Sequence, residues 1–489
     1  MVLPALVALF AALGPLLRGA WDLWAQVLLQ AAAAAVFFLW LAWRAASGRV
    51  LLPPRRLLAW TAALMAFSAA SALASPVHGL ARPDWYNLWA ALWIFPAVSV
   101  LTNEQRSRID EAIRASAWIL FALAFYQHFR LGEERPASAL INENVYAGAV
   151  LMLFPVAIER GAWLLSVCLL WSLWWTRSAG AWLALSATVM LYRRRARGPL
   201  FWAGAAAALA CAAAFYGKLG APETLNRWRW WKAAAAMAAA RPLLGFGPGA
   251  FAYVLPAYSA RAEGLNSGYA HQYILQTVAD MGIPFALAWF AGLWRCLRAS
   301  GPYKRFGLIA VLIHSLWDYA LSMPANLWLF CYLAACAAPP GAVEADLPPR
   351  QRRIWAPAAA ILGLALCVHL WTRWQGSRLT ALGLEAMQGG RTEEALELAL
   401  RAGFKVPDDP EPPRLAAIAE MSQAQGAADA AVRARKWLVA SHDMERSLRL
   451  NPYRASSWAM LAAAYRSLGR PDRADKVLLE AGRYQARSQ

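Results

Sequence analysis

Charge is scarce in this sequence, and negative charge scarcest of all. Only 16% of the 489 residues are Asp, Glu, Lys or Arg, with 29 acidic residues against 48 basic ones. Such a chain cannot wet the surface of a soluble domain, whose core stops growing with size. Cysteine is scarce too: Cys168, Cys211, Cys296, Cys331, Cys336 and Cys367 all fall in apolar runs. They show neither metal-ligand spacing nor a disulfide framework and read as small hydrophobes. The first seventeen residues lack a basic leader and a small-residue cleavage site, so a first membrane span is expected there rather than a cleaved signal.

What is abundant is apolar surface: 60% of residues are hydrophobic, 27 of them tryptophan. Runs of about 17–25 apolar residues match the hydrocarbon thickness of a bilayer. They predict an all-α, polytopic bundle, with spans near 2–17, 23–43, 57–75, 85–101, 112–129, 144–158, 162–176, 179–192 and 199–216. Further spans are expected at 283–298, 306–321, 324–339 and 354–372. The net charge of +19 would suggest nucleic acid in a soluble chain. Here no basic stripe is interleaved with exposed aromatics in a soluble module, so nucleic acid is not an expected partner.

The charge sits instead in alternate short loops. Arg44, Arg49, Arg55 and Arg56 form one group, followed by Arg106, Arg108 and Arg114 and by Arg193, Arg194, Arg195 and Arg197. Arg295, Arg298, Lys304 and Arg305 continue the set, which ends at Arg350, Arg352 and Arg353. Loops between these groups are nearly free of Lys and Arg. The bias of basic residues toward the cytoplasm then places the amino terminus inside. It places residues 217–282 and the tail outside. Four parts are expected: helices over 1–216, an outer loop over 217–282, helices over 283–372 and a helical domain over 373–489.

The tail turns charged and helix-forming. Asn451-Pro452 breaks a helix; Trp458, Leu461 and Tyr465 then share a face, and Ala474, Val477 and Leu478 face back after Gly469-Arg470-Pro471. This pattern resembles a tetratricopeptide repeat, and residues 390–403 align with its second half. An α-solenoid of two to three degenerate repeats follows, acting as a lid or spacer, or docking a partner protein or glycan.

The outer loop is too long to be a mere connection. A helix is predicted over ETLNRWRWWKAAAAMAAARP, with Arg227 and Trp231 on one face backed by Arg229 and Lys232. GFGPGAF, from Gly245 to Phe251, reads as a tight turn, or as backbone amides facing an anion; no βαβ pattern supports a nucleotide loop. His271 starts a helix just before a span, and imidazole suits general-base work near neutral pH. Arg177 lies at the outer junction of two spans, where an unpaired charge is expensive. His314 and Asp318 lie at i, i+4 on one helix face, either to hold helices together or to orient an active-site cation. Outward loops show no Asp-x-Asp pair for Mg²⁺ or Mn²⁺. The site is therefore expected to use arginine for phosphate and neither metal nor cofactor.

These landmarks, in order, resemble the O-antigen ligase and O-antigen polymerase superfamily, including its protein O-oligosaccharyltransferases. The matching residues are TRSAGAW (Thr176–Trp182), Arg227 before Trp231, RPLLGFGPGAF (Arg241–Phe251), AHQYILQTVADMG (Ala270–Gly282) and His314, Asp318 and Pro324. The resemblance covers roughly residues 140–340 and implies a C-type glycosyltransferase fold. It implies an undecaprenyl-diphosphate-linked glycan as donor and the hydroxyl of a glycolipid, polysaccharide or protein as acceptor. His271 would take the acceptor proton; Arg227, with Arg177, Arg241 and Arg229, would hold the diphosphate, and displacement would invert the sugar carbon.

Two departures matter. The family's His-Asn is His271-Gln272 here, which keeps an amide. The family's arginine follows the serine, where this chain has Ala179; Arg177 lies two residues earlier, about 200° away on a helix. Arg177 reaches the site only if the turn is not helical. Other readings are a glycolipid flippase or a non-catalytic scaffold, but no internal hydropathy symmetry marks a transporter.

Overall fold

The computed structural model describes residues 2–193, 222–259 and 267–484, with Trp202, Ala206 and Ala210. The described residues are mostly helical. Among them, four helices are long and apolar enough to cross a membrane: α2 (Leu23–Ser47), α3 (Arg55–Leu73), α10 (Tyr273–Ala299) and α13 (Pro349–Gln388). With them pack α1 (Val2–Ala8), α4 (His78–Ser99), α5 (Asn103–Arg130), α6 (Glu143–Glu159), α7 (Trp163–Trp175), α8 (Ala179–Arg193), α11 (Pro302–His314) and α12 (Pro324–Ala335). Helix α9 (Pro222–Ala240) lies in the long segment that precedes α10. The span expected at 199–216, and Arg194, Arg195 and Arg197, lie outside the described residues.

Sequence explains which helices sit at the centre. Every residue of α12 is buried, as is the run Val145–Ala157 of α6, and both are apolar on all sides. Helix α13, by contrast, presents Ile354, Ile361, Leu364, Val368 and Trp371 outward, each more than half exposed, as suits a lipid-facing helix. Local signals set the ends. Thr102 and Gln105 close a capping box at the start of α5, and Gly48 ends α2 in the left-handed conformation.

Charged groups gather at two ends of the bundle. At one, strands β1 (Arg49–Leu52) and β2 (Val343–Asp346) pair antiparallel, and Arg44 bonds Glu344 at 2.9 Å. There Asp110, 1% exposed, accepts from Arg160 (3.0 Å), Lys304 (3.1 Å) and the Tyr332 hydroxyl (2.7 Å). A buried carboxylate survives only with such partners. At the other end Arg177 meets Glu134, Arg227 meets the Trp317 carbonyl and Arg241 meets the Ala74 carbonyl.

Several boundaries differ from expectation. Helix α10 begins at Tyr273, ten residues before the expected span at 283, and is kinked at the non-helical Gly282 (φ +80°), beyond which its second segment starts at the expected position. That glycine frees the Ile283 amide to donate to the Pro242 carbonyl at 2.8 Å. The span expected over 306–321 stops at His314, where the chain leaves the helix. Helix α13 runs unbroken for 40 residues across the expected boundary at 372, so the tail begins as an extension of a membrane helix.

The tail is a stack of antiparallel helices: the end of α13, then α14 (Thr392–Lys405), α15 (Glu411–Gly426), α16 (Ala430–Leu450), α17 (Ala455–Ser467) and α18 (Pro471–Ala481). Trp458, Leu461, Tyr465 and Ala474 are buried together with Val477 partly so, whereas Leu478 is 41% exposed rather than facing back. Asp408 ties the stack to the bundle, pairing with Arg82 (2.9 Å) and Arg373 (3.0 Å), while Arg373 also donates to the Gly79 carbonyl. Tyr453 packs into the apolar core built by α9 and the glycine-rich turn, beside Val77, Phe246 and Phe251.

Candidate active site

The second end of the bundle encloses a cavity of about 550 Å³. His271, Arg227, Arg177, His314 and Asp318 all line it, though they come from four separate stretches of chain. Arg227 comes from α9, His314 from the last turn of α11, and the other three from turns between helices.

His271 does not start a helix. It precedes the first turn of α10 by two residues at φ +53°, a left-handed conformation uncommon for any residue but glycine. Gln272 is the N-cap, its side-chain oxygen accepting from the Leu275 amide, so the amide beside the histidine shapes the helix end. The imidazole stacks on Trp230 (4.9 Å between centroids) and meets the edge of Tyr319 (4.7 Å). Its Nδ1 is buried without a hydrogen-bond partner among the described residues. Burial, and then the Arg227 guanidinium, push its pKa down to about 3. The ring is neutral at neutral pH.

Two side chains of α10 hold the backbone beside it. Gln276 Oε1 accepts from the Ala270 amide at 2.6 Å, and Gln276 Nε2 donates to Asp280 at 2.8 Å. Asp280 also accepts from the Gly249 amide (3.3 Å) and the Phe251 amide (3.0 Å). The glycine-rich turn therefore directs its amides at a carboxyl group of the chain itself, that of Asp280. A Cβ at Gly245 would lie 2.3 Å from the Asp280 carbonyl oxygen, which is why the turn needs glycine there.

Arg227 projects from α9 and donates to the Trp317 carbonyl at 3.0 Å. Arg177 occupies a turn between α7 and α8 at φ +50°, so the helical rotation that would carry it away does not apply. It pairs with Glu134 at 2.8 Å, both groups largely exposed. His314 ends α11, and Asp318 lies beyond it in a loop rather than on the same helix face; His314 Nε2 is still 3.9 Å from Asp318 Oδ1. A Cβ at Gly180 would meet the Trp317 indole nitrogen at 2.3 Å, so that glycine lets the loop close over α8.

Arg229 and Arg241 lie away from the cavity. Arg229 is exposed on α9, and Arg241 sits over the Phe246 ring while bonding the Ala74 carbonyl. The structure adds a cation that sequence reasoning missed: Arg135 lines the same cavity, paired with Glu143 at 2.6 Å. It lies among Glu133, Glu134 and Pro136 in a non-periodic loop, so no pattern marks it.

Residues 164–290 match the family model described as O-antigen ligase. The chain carries an O-antigen ligase domain. No curated protein matches it. The ligase domain spans Arg177, Arg227 and His271, but the cavity is completed from either side of it, by Trp21, Arg135 and Glu143 before and by His314, Asp318 and Tyr319 after.

Proposed function

We propose that this membrane glycosyltransferase moves a glycan from an undecaprenyl-diphosphate carrier to an acceptor hydroxyl on the periplasmic face of the inner membrane. The observation that carries the reading is one cavity in which a neutral imidazole, its Nδ1 without a partner among the described residues, stands with three arginines. The acceptor oxygen attacks the anomeric carbon while His271 takes its proton. The bond from that carbon to the diphosphate oxygen breaks, and the developing charge falls to Arg227, Arg177 and Arg135. Fixed cations need no reorganisation as that charge appears, so they stabilise the transition state more than the bound donor. One displacement inverts the sugar carbon without a metal. Asp318 beside His314 orients the loop that carries the Arg227 contact.

The acceptor is a lipid A core glycolipid, a polysaccharide or a protein, and the TPR-like tail positions it or a partner. Reconstitution with an undecaprenyl-diphosphate oligosaccharide and each acceptor class tests the proposal. Transfer should fall about 10²–10⁴-fold in His271→Ala, the usual worth of a general base. Arg227→Ala should lose about 10²–10³-fold, as for one charge-stabilising donor. Undiminished transfer by His271→Ala would refute the mechanism. Orientation has its own test: a cysteine at Gly390 should react with an impermeant maleimide added to intact spheroplasts.

A further inference from the structure

The tail carries an apolar feature that neither its own packing nor the cavity uses. Phe404 is 90% exposed and Leu400, one turn earlier, 59% exposed. Both lie on α14, flanked by Arg401 and Lys405. Two independent contacts fix their height relative to the bilayer.

The first is the packing of α14 on α13. The helices are antiparallel, since a Cβ at Gly383 would meet Leu398 and one at Gly376 would meet Val406. Helix α14 therefore descends toward the membrane, and its lower end lies level with Gly376. Trp371 is the last large apolar residue of α13 that is more than half exposed. Gly376 lies about 8 Å beyond it at 1.5 Å per residue. That is about the depth of the headgroup layer outside the hydrocarbon core. The second mark is Asp408, held by Arg82 in the first turns of α4 and by Arg373 just past the α13 span.

The surroundings at this level suit a lipid interface. Trp371 and Trp374 lie against each other, with centroids 4.7 Å apart, and Arg378 covers the Trp374 ring. Aromatic rings with basic residues characterise the headgroup zone. The Phe404 surface is thus continuous in height with the lipid-facing strip of α13.

We propose that the Phe404–Leu400 end of α14 inserts into the headgroup region of the adjoining leaflet, with Arg401 and Lys405 at lipid phosphates. The tail then rests on the membrane as a footed platform rather than swinging free on a tether. This needs only that residues 354–372 cross the bilayer and does not depend on the glycosyl-transfer reading.

The test uses the full chain in nanodiscs of phosphatidylethanolamine and phosphatidylglycerol. Cysteine is placed at Phe404, at Leu400 or at Ala428, which lies in a turn at the opposite end of the tail; bimane is attached and the wild-type signal from native thiols subtracted. Nitroxide-bearing lipids should quench bimane at 404 at least twofold, at 400 less, and at 428 not at all. Quenching at 404 no stronger than at 428 overturns the proposal. So does 404 quenching that persists with nitroxide lipid absent and a second, nitroxide-labelled copy of the chain present, which would assign the surface to self-association.

Discussion

Acidification should loosen the chain around His271 before it affects the rest of the bundle. The imidazole titrates near 3 in the folded protein against an ordinary 6.5, because burial and Arg227 disfavour its charged form. A locally opened loop regains the ordinary value, so below pH 6.5 the open form binds the proton and the closed form does not. The contribution is intact above pH 6.5 and is lost as pH falls toward 3. Between those limits each unit costs about 1.4 kcal/mol, so at pH 5 the closed loop loses up to about 2 kcal/mol, or roughly 30-fold in its opening constant. Residual exposure of the ring makes this an upper bound.

Hydrogen exchange measured by mass spectrometry on peptides covering 267–281 reads this constant directly, after correction for the intrinsic pH dependence of exchange. His271→Asn is the control, since asparagine tolerates the left-handed backbone and does not titrate. The wild-type protection factor should fall by tens of fold from pH 7 to pH 5, and the variant's should stay level. Parallel curves for the two proteins would refute the argument, showing either that His271 is hydrated or that its protonation is met by another group.

In Arg227→Ala the His271 pKa should rise yet stay below 6.5, because the larger cause, burial, remains; imidazole chemical shifts across pH 3–7 measure it. Gln276→Leu strands the buried Ala270 amide and should cost about 1–3 kcal/mol, read as a lower unfolding temperature. Gly282→Ala places a Cβ 2.1 Å from the Leu243 carbonyl oxygen at a φ that L-residues rarely adopt, and should lower stability by more than the Gln276 change. Asp408→Asn weakens the contacts to Arg82 and Arg373, and limited proteolysis should then cut the tail from the bundle faster than in the wild type.

Much of the site could be read from sequence because a membrane makes polar residues conspicuous. His271, Arg177, His314 and Asp318 each interrupt or flank an apolar run, and their order along the chain carried the family resemblance. Arg135 could not be found this way, since its loop already holds two glutamates and has no period. The target of the glycine-rich turn is hidden for another reason: Asp280 lies 31 residues from Gly249, and only the fold brings its carboxyl to those amides. The 40-residue α13 was read as ending at 372 because its hydropathy ends there, whereas helix propensity does not. His314 and Asp318 do meet, but through a loop that leaves the helix without a glycine or proline to announce it.

The distribution of backbone strain separates this cavity from an ordinary polar end of a helical bundle. Among the described residues, five that are not glycine have positive φ: Arg18, Ala20, Ser138, Arg177 and His271. Arg177 and His271 face the cavity, and Arg18 and Ala20 lie in a short 3-10 turn just before Trp21, which also lines it. Each such conformation costs of order 1–3 kcal/mol and persists only where its surroundings over-determine it. For His271 the surroundings are visible, in the Gln272 cap, the Gln276 bond to Ala270 and the Trp230 stack. A structural histidine would have no need of that support, since a relaxed backbone could bury the same ring. The support instead holds an imidazole neutral and beside a guanidinium, where it is a weak base with a pKa of about 3. A diphosphate bound at Arg227 would offset that guanidinium and raise the basicity of His271 where the acceptor proton must be taken. In the proposed reaction, the donor's charge would thus turn a poor base into a better one, and a strained backbone would keep the two groups in register.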